Sequence, residues 1–286
     1  MYKIATLLLL SLLSPLTFAF GDLGHELVCD IAWREMNDNS RTEVIKILKH
    51  TRYATFAESC VWADSVRENN DYKYLKPFHY VNVEKSATKV MTGAVCENKG
   101  CVVDAIAAYS KVLAGDTLTA REQGHYASRR HEALMLLGHL TGDVHQPLHV
   151  SYALDWGGNK IKVRYQGHNT NLHNVWDSGL IKYGIQAPWR EAGAELTEDI
   201  TDTDRTVWHE PSPLVWANES LTITRSIYRA LPRRGNPKKL KADYFDTHFN
   251  TLRTRILMAG FRLARTLDRV LNQPLAPVET PTPVIP

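Results

Sequence analysis

Apolar residues recur at helical spacing along the first half of the chain. In the segment 27–32 they occupy positions 27, 28, 31 and 32, which share one face of a helix. A second apolar group, at 44–48, follows Ser40 and Glu43, whose spacing is that of a capping box at a helix start. Helices are therefore predicted to dominate this half.

Further helices are predicted downstream from the same periodicity. The segment 102–115 reads VVDAIAAYSKVLAG, and its closing glycine should end the helix. A long helix is expected from about Thr119 toward His145. The segments 213–231 and 244–271 are again amphipathic, and the second is long enough to pack across a whole domain.

One segment has the alternation of a β-strand instead. Residues 160–165 read KIKVRY, follow Gly157 and Gly158, and precede a turn at Gly167. This pattern predicts a small hairpin between helical segments. We therefore expect an all-α fold in which a single helical domain carries one small β-hairpin.

The two ends of the chain differ from the rest in composition. Residues 1–19 contain one lysine, an apolar run and a small-residue end, which is typical of a secretory signal peptide cut after Ala19. The apolar run is short for a membrane anchor. Residues 273–286 are proline-rich and are expected to be a disordered tail. Without internal repeats or a flexible linker, 20–272 is predicted to be one domain.

The four cysteines suit an oxidising compartment, so the protein is expected to be secreted or periplasmic. Cys96 and Cys101 flank a short polar turn that brings them together, which leaves Cys29 to pair with Cys60. A four-cysteine zinc site is the alternative, but it needs closely spaced pairs that Cys29 and Cys60 do not provide. The net charge of +3 does not by itself predict a polyanion-binding surface.

Ligand-type side chains are concentrated in residues 139–149, which read HLTGDVHQPLH. His139 and Asp143 are four residues apart and share one helical face. Pro147 should break that helix and allow His149 to return toward it. This arrangement is typical of a metal site.

Histidines and aspartates recur in four further motifs. They are FGDLGH at 20–25, WADSVR at 62–67, FHYVNV at 78–83 and NLHNVWD at 171–177. His173 and Asp177 repeat the four-residue spacing of the first motif. Nitrogen and carboxylate ligands without cysteine suit zinc in a hydrolytic site, where one position stays open for water.

In order and spacing these motifs resemble the zinc-dependent, single-strand-specific nucleases of the S1/P1 type. The resemblance extends from Phe20 to about Gly179. It implies an all-helical fold related to bacterial zinc phospholipase C, with three zinc ions in a cleft.

The resemblance also implies which residues bind each zinc ion. The first ion would be held by Asp64, His79, His139 and Asp143, and the second by His149, His173 and Asp177. The third would be held by His25, by Asp143 as a bridge, and by the free amine and carbonyl of Phe20, the first mature residue. The family usually has tryptophan there, but the ligand atoms belong to the backbone. Signal cleavage would then be required for activity, and cleavage one bond away would weaken or empty the third site.

The chemistry implied is hydrolysis of single-stranded RNA and DNA to 5′-phosphate products, together with 3′-nucleotidase activity on 3′-mononucleotides. Asp64 would orient the attacking water. Tyr80 matches a position on which the family stacks a base, and Asn82 a position where the fungal enzymes have an aspartate at the base edge. Arg67 follows Asp64 by one helical turn and could bind a phosphate.

Some neighbouring residues are expected to be structural. His145 falls on a different helical face from His139 and Asp143, so it should make a structural hydrogen bond or one to a metal ligand. Trp62, Trp156 and Trp176 are predicted to be core residues.

Two other functions remain open from the sequence. A zinc phospholipase C of the same fold would keep most ligands, but its pattern has glutamate in place of Asp177, and no exposed aromatic membrane loop is evident. A non-catalytic zinc-binding protein would use the same ligands for structure. The nuclease is preferred, as a monomer without stable membrane association.

Overall fold

The computed structural model describes residues 20–91, 96 and 98–272. The predicted signal peptide and the predicted proline-rich tail lie outside these residues. The part described is mainly α-helical, with a few short strands, which confirms the all-α prediction.

The helices vary from three to 28 residues. They are α1 (Gly21–Glu35), α2 (Asp38–Leu48), α3 (Phe56–Ser59), α4 (Trp62–Ser65), α5 (Val102–Ala114), α6 (Ala120–Tyr126), α7 (Arg130–His145), α8 (Leu172–Asn174), α9 (Leu180–Gly184), α10 (Trp189–Glu198), α11 (Asp202–Trp208), α12 (Pro213–Ala230) and α13 (Tyr244–Leu271). Tighter 3₁₀ turns occur at Asn70–His79, Pro147–His149 and Ala153–Asp155, and a wider π turn at Val175–Gly179.

The strands form two small sheets. They are β1 (Val81–Val83), β2 (Val150–Tyr152), β3 (Lys162–Tyr165), β4 (His168–Asn171) and β5 (Lys238–Lys239). β3 and β4 are the predicted hairpin, and β5 pairs with β3 in parallel to make a third strand. β1 and β2 form a separate parallel pair. The sequence did not predict β1, β2 or β5, because two or three residues cannot establish an alternating pattern.

The core is organised around α7. Helices α1, α4, α5, α12 and α13 all pack against it, and its residues from 132 to 145 are buried. Polar side chains near its C-terminal end are therefore held in the interior, away from bulk solvent. Across the described ranges, every helix is either too short or too polar to serve as a membrane span.

Two of the helix predictions are wrong in part, one in its continuity and one in its start. The helix expected from Thr119 to His145 is divided into α6 and α7, because the backbone N–H of Arg129 donates to the Glu132 carboxylate and begins a new helix. The capping box at Ser40 and Glu43 is absent, because α2 begins three residues earlier, where the Asn37 side chain accepts from the N–H of Ser40 at 2.9 Å.

Both predicted disulfides are present, Cys29–Cys60 and Cys96–Cys101, so these cysteines do not form a zinc site. The first joins α1 to the turn after α3 and packs directly on Gly138 of α7. A Cβ atom at Gly138 would overlap the sulfur of Cys60. Glycine at this position allows the disulfide to lie against the helix that carries His139.

Candidate active site

The C-terminal end of α7 supplies the centre of the candidate site. His139 and Asp143 lie one turn apart, both fully buried, with His139 Nε2 3.3 Å from Asp143 Oδ2. The helix ends at His145, and the Pro147–His149 turn brings His149 back, so that its Nδ1 lies 3.3 Å from Asp143 Oδ1. The helix break at Pro147 follows the sequence prediction.

His79 and Asp64 complete a first group around this helix end. His79 Nδ1 lies 3.0 Å from Asp143 Oδ2 and 3.1 Å from His139 Nε2. Asp64 Oδ1, on α4, lies 4.0 Å from His79 Nδ1 and 3.9 Å from His139 Nε2. Atoms bound to one tetrahedral zinc at roughly 2.0 to 2.1 Å are about 3.3 Å apart, so His79, His139 and Asp143 fit one zinc ion. Asp64 lies at the edge of this group and also groups with His25 and His139.

His149, His173 and Asp177 form a second group. His173 Nε2 lies 3.1 Å from Asp177 Oδ2, and His149 Nε2 lies 3.5 Å from Asp177 Oδ1. His173 and Asp177, four residues apart, remain in contact although the chain passes from α8 into the π turn between them. The Gln146 side-chain amide donates to Asp177 Oδ1 and fixes the carboxylate.

His25 approaches the same aspartate from α1, and Phe20 lies directly before that helix. His25 Nε2 lies 3.6 Å from Asp143 Oδ1, and its ring stacks on that of His139 at 3.7 Å between centroids. Phe20 is fully buried beside His25, with 6.1 Å between their rings. Asp143 therefore directs Oδ1 toward His25 and His149 and Oδ2 toward His79 and His139. This is the placement that a bridging carboxylate requires.

Backbone carbonyls determine which ring nitrogen each of three histidines presents to the cluster. The Nδ1 atoms of His139, His149 and His173 each lie 2.7 Å from a carbonyl oxygen, of Cys60, His79 and Gly157 respectively. Since a carbonyl can only accept, Nδ1 carries the proton and donates it. The Nε2 lone pair of each histidine is therefore available for a metal, and the ring is held in place.

Several buried atoms of this cluster lack a hydrogen-bond partner among the described residues. They include both ring nitrogens of His25, Oδ1 of Asp143 and Nε2 of His149. An unpaired polar atom in the interior costs roughly 1 to 3 kcal/mol. Coordination of metal ions would satisfy these atoms, which supports a metal site at this place. We call Asp64, His25, His79, His139, Asp143, His149, His173 and Asp177 the ligand cluster.

The charges within the ligand cluster favour ionised carboxylates. Burial would raise the pKa of Asp143, but His139 and His149 outweigh it and hold that pKa well below the usual value. The pKa of Asp177 is also lowered, because His173 and His149 outweigh its burial. Burial and the neighbouring His139 lower the pKa of His25, so its imidazole is neutral. Ionised aspartates and a neutral His25 are the forms that bind zinc. Burial would lower the pKa values of His139 and His149, but Asp143 and neighbouring groups outweigh it and raise both, that of His149 to about 9, so zinc would displace protons from these two rings.

The ligand cluster opens into a cleft with a volume of about 530 Å³. Its lining includes the three predicted substrate-binding residues, Arg67, Tyr80 and Asn82. Tyr80 is 41% exposed, as a base platform requires, and Asn82 lies on β1. The structure thus brings all three beside His79 and His149.

Four polar or aromatic residues of the cleft were not predicted to belong to it, and one of them contradicts a prediction. Trp156 was expected in the core but is 62% exposed at the cleft, whereas Trp62 and Trp176 are buried as predicted. Trp156 has a left-handed backbone, φ 57°, in a turn before two glycines, and the Lys160 ammonium lies 4.0 Å from its ring centre. The position of this tryptophan directly before Gly157 and Gly158 was the signal available in the sequence. The others are Lys76, Asn159 and Lys160.

His145 lies outside the ligand cluster, as expected. Its Nδ1 donates to the Thr141 carbonyl at 2.8 Å, and its Nε2 accepts from the Arg262 guanidinium at 3.0 Å. It is fully buried on another side of α7. Its role is therefore structural.

Comparison with known proteins places the whole described range in one family. A sequence model described as S1/P1 Nuclease matches residues 20–272. Endonuclease 4 of Arabidopsis thaliana is 30% identical over 291 residues, covering 94% of each chain. Endonuclease 2 of the same plant is 28% identical over 276 residues, covering 91% of this chain and 93% of its own. Nuclease S1 of Aspergillus oryzae is 28% identical over 283 residues, covering 92% and 95%.

Proposed function

Because the chain belongs to the S1/P1 nuclease family and is thus a hydrolase of phosphodiester bonds, we propose that it is a trinuclear zinc endonuclease. Its substrates in this proposal are single-stranded RNA and DNA, which it cleaves to 5′-phosphate products, and 3′-mononucleotides, from which it releases phosphate. The observation that carries the proposal is the position of Asp143. Its two oxygens face different histidines of one buried cluster, beneath an open cleft.

The ligand cluster would hold the three ions in the sets implied by the sequence. Asp64, His79, His139 and Asp143 fit the first, His149, His173 and Asp177 the second, and His25, Asp143 and the Phe20 backbone the third. Bound zinc would lower the pKa of water to about 7 and neutralise charge on phosphate oxygens. Asp64 is 6% exposed, and its Oδ1 faces the first group. In this position it can accept a hydrogen bond from the attacking water and orient it.

The cleft supports selection of single strands. Tyr80 and Trp156 are both exposed there, and each offers a flat face to an unpaired base. Stacking contributes about 1 to 3 kcal/mol per base without distinguishing between bases. A duplex hides these base faces in its own stack. Asn82 can both donate to and accept from a base edge, while Arg67 and Lys160 line the same cleft and can contact phosphates.

The mature enzyme in this proposal begins at Phe20, acts as a monomer and works outside the cytoplasm, either secreted or in the periplasm. Two disulfides in the described part of the chain support an oxidising compartment. The burial of Phe20 beside His25 supports a role for its backbone at the third zinc.

A zinc phospholipase C is the second candidate, because the structure provides one observation in its favour. Leu154 is 75% exposed and Trp156 62% exposed, and they lie two residues apart beside the cleft. Such a pair could touch a lipid surface. Asp177 in place of glutamate and the family comparisons favour the nuclease.

The test is a substrate panel, run with and without a zinc chelator. It contains single-stranded RNA, single-stranded DNA, double-stranded DNA, a 3′-mononucleotide and phosphatidylcholine. We expect chelator-sensitive hydrolysis of both single strands and the mononucleotide, and little of the duplex. Turnover of phosphatidylcholine alone would support the phospholipase, and bound zinc without turnover would support a non-catalytic protein.

A further inference from the structure

The three-stranded sheet presents a basic outer surface. On β3, Val163 and Tyr165 point inward and are buried, while Lys162 and Arg164 are exposed. In the hairpin register Lys162 lies opposite Asn171, and Arg164 lies opposite Asn169. Cross-strand partners share a face, so cations and amides lie side by side on the solvent side.

β5 adds a third cation to this surface. Lys239 is exposed and lies directly opposite Arg164 in the parallel register. Within the described ranges none of Lys162, Arg164 and Lys239 forms an ion pair. Like charges directly opposite each other destabilise a sheet. A bound polyanion would offset this repulsion. We call Lys162, Arg164, Lys239, Asn169 and Asn171 the hairpin face.

A groove with a volume of about 950 Å³ lies along part of the hairpin face. Lys162, Asn169 and Asn171 line it together with Lys182, whereas Arg164 and Lys239 lie outside it. Asn159 lines both this groove and the metal cleft. A strand that leaves the cleft at Asn159 therefore enters a channel whose charged side chains are cationic.

We propose that the hairpin face binds the sugar–phosphate backbone of a single-stranded nucleic acid beyond the nucleotides in the cleft. This inference rests on the proposed function, since it extends the path of the same substrate. An anionic membrane would also be attracted by cations. The nucleic acid is favoured because the groove and the cleft share Asn159 in their linings and because the outward positions of β3 and β4 are polar throughout.

The hairpin face should matter only for long substrates. A 3′-mononucleotide occupies the cleft and does not reach β3. A strand of 30 nucleotides can fill both, and its affinity should depend on salt, because each phosphate contact releases counterions. The triple variant Lys162→Gln, Arg164→Gln and Lys239→Gln tests this. The matched control, Lys49→Gln, Lys85→Gln and Lys89→Gln, removes three exposed charges that line neither cavity.

Two measurements on the zinc-loaded enzymes decide the outcome. The first is the affinity for a nuclease-resistant phosphorothioate 30-mer at several salt concentrations. The second is kcat/KM for a 3′-mononucleotide. In the hairpin variant, the slope of log affinity against log salt should become shallower by about 2, at roughly 0.7 for each single-strand phosphate contact. Its mononucleotide kcat/KM should equal that of the wild type, and the control variant should match the wild type in both.

Other results would overturn the proposal. An unchanged salt slope in the hairpin variant would show that the face does not bind the strand. Lost binding to phosphatidylglycerol vesicles with unchanged affinity for the 30-mer would identify a membrane contact instead. If the wild type hydrolysed no substrate but the hairpin variant still lost strand affinity, the proposed function would fail while the hairpin face would stand.

Discussion

Two buried polar clusters lie on different faces of α7 and differ in how their hydrogen bonds are completed. The ligand cluster leaves several nitrogen and oxygen atoms without a partner in the described chain. The other cluster, which we call the arginine network, consists of His145, Glu219, Arg255 and Arg262. There, Arg262 donates to His145 Nε2 at 3.0 Å and to both oxygens of Glu219 at 2.6 and 2.8 Å.

Arg255 completes the arginine network. Its Nε donates to the His145 carbonyl at 3.1 Å, and its Nη1 donates to Glu219 at 2.7 Å. The two guanidiniums are at most 3% exposed, yet each is paired with the half-buried Glu219. Burial would raise the pKa of Glu219, but the two arginines outweigh it and lower that pKa.

The difference shows how to distinguish a structural polar cluster from a functional one. Burial of charge is tolerated where every donor and acceptor is paired, as in the arginine network. The side chains of the ligand cluster are also mostly buried. Several of their nitrogen and oxygen atoms, however, point toward one another without a hydrogen-bond partner in the described chain. Metal cations from solution would satisfy the lone pairs of these atoms. Histidine occurs in both, so residue type alone does not separate them.

The largest expected effect comes from the residue that links all parts of the ligand cluster. Asp143→Asn keeps the size of the side chain but removes the charge that faces four histidines. We expect hydrolysis of single-stranded DNA to fall below detection and two of the three zinc ions to be lost. Asp177→Asn should lose one. Metal analysis of the two purified variants makes the comparison, and Asp143→Asn with full zinc and near-normal turnover would contradict the bridging role.

The next effect concerns the third zinc alone. An extra residue before Phe20 displaces the terminal amine by about 3.5 Å of chain and leaves an amide, which is a poor ligand. We expect one zinc ion fewer per protein and a large loss of activity. Phe20→Trp keeps the backbone atoms and should preserve both. Equal zinc content and equal rates with and without the extra residue would reduce the site to two zinc ions.

The arginine network should respond in stability rather than in zinc content. Arg262→Met removes the donor to His145 and to both Glu219 oxygens and leaves Glu219 paired with Arg255 only. Breaking a fully buried ion pair on one side costs about 3 to 5 kcal/mol in the free energy of unfolding. Because Glu219 is half-buried and keeps Arg255 as a partner, we expect a smaller loss here. Urea denaturation measures this loss. Zinc per folded protein should stay at the wild-type value, and a selective loss of zinc would show that the two clusters are not independent.

The sequence predicts local geometry better than contacts between distant segments. The turn at Pro147, the spacing of His173 and Asp177, and the hairpin at Gly167 depend on neighbouring residues, and they are as predicted. The pairing of β5 with β3 and the partners of His145 depend on segments far apart in the chain. Periodicity carries no information about those. The division of α6 from α7 was missed because Glu132 competes locally for the Arg129 N–H, a cap that the helical pattern conceals.

The smallest effect is a pH dependence that isolates the arginine network. Burial, then Arg255 and Arg262, hold the pKa of His145 well below its usual value, so the folded protein keeps it neutral. In the unfolded chain it titrates near pH 6.5. As the pH falls below about 6.5, the unfolded state binds a proton that the folded state does not. The free energy of unfolding should therefore decrease by up to about 1.4 kcal/mol per pH unit from this residue.

His145→Gln tests this, because glutamine can accept from Arg262 but does not titrate. Urea unfolding is measured for both proteins at pH 7.5 and 5.5, with metal removed by a chelator. The ligand cluster contributes equally to the two proteins, so its contribution cancels when their changes in the free energy of unfolding are compared. The wild type should lose about 1 kcal/mol more than the variant between these pH values, since the full slope is reached only below the unfolded pKa. The opposite sign, with the wild type gaining on acidification relative to the variant, would mean that His145 is protonated in the fold. Its Nε2 would then carry a hydrogen, and the bond from Arg262 could not exist as the geometry indicates.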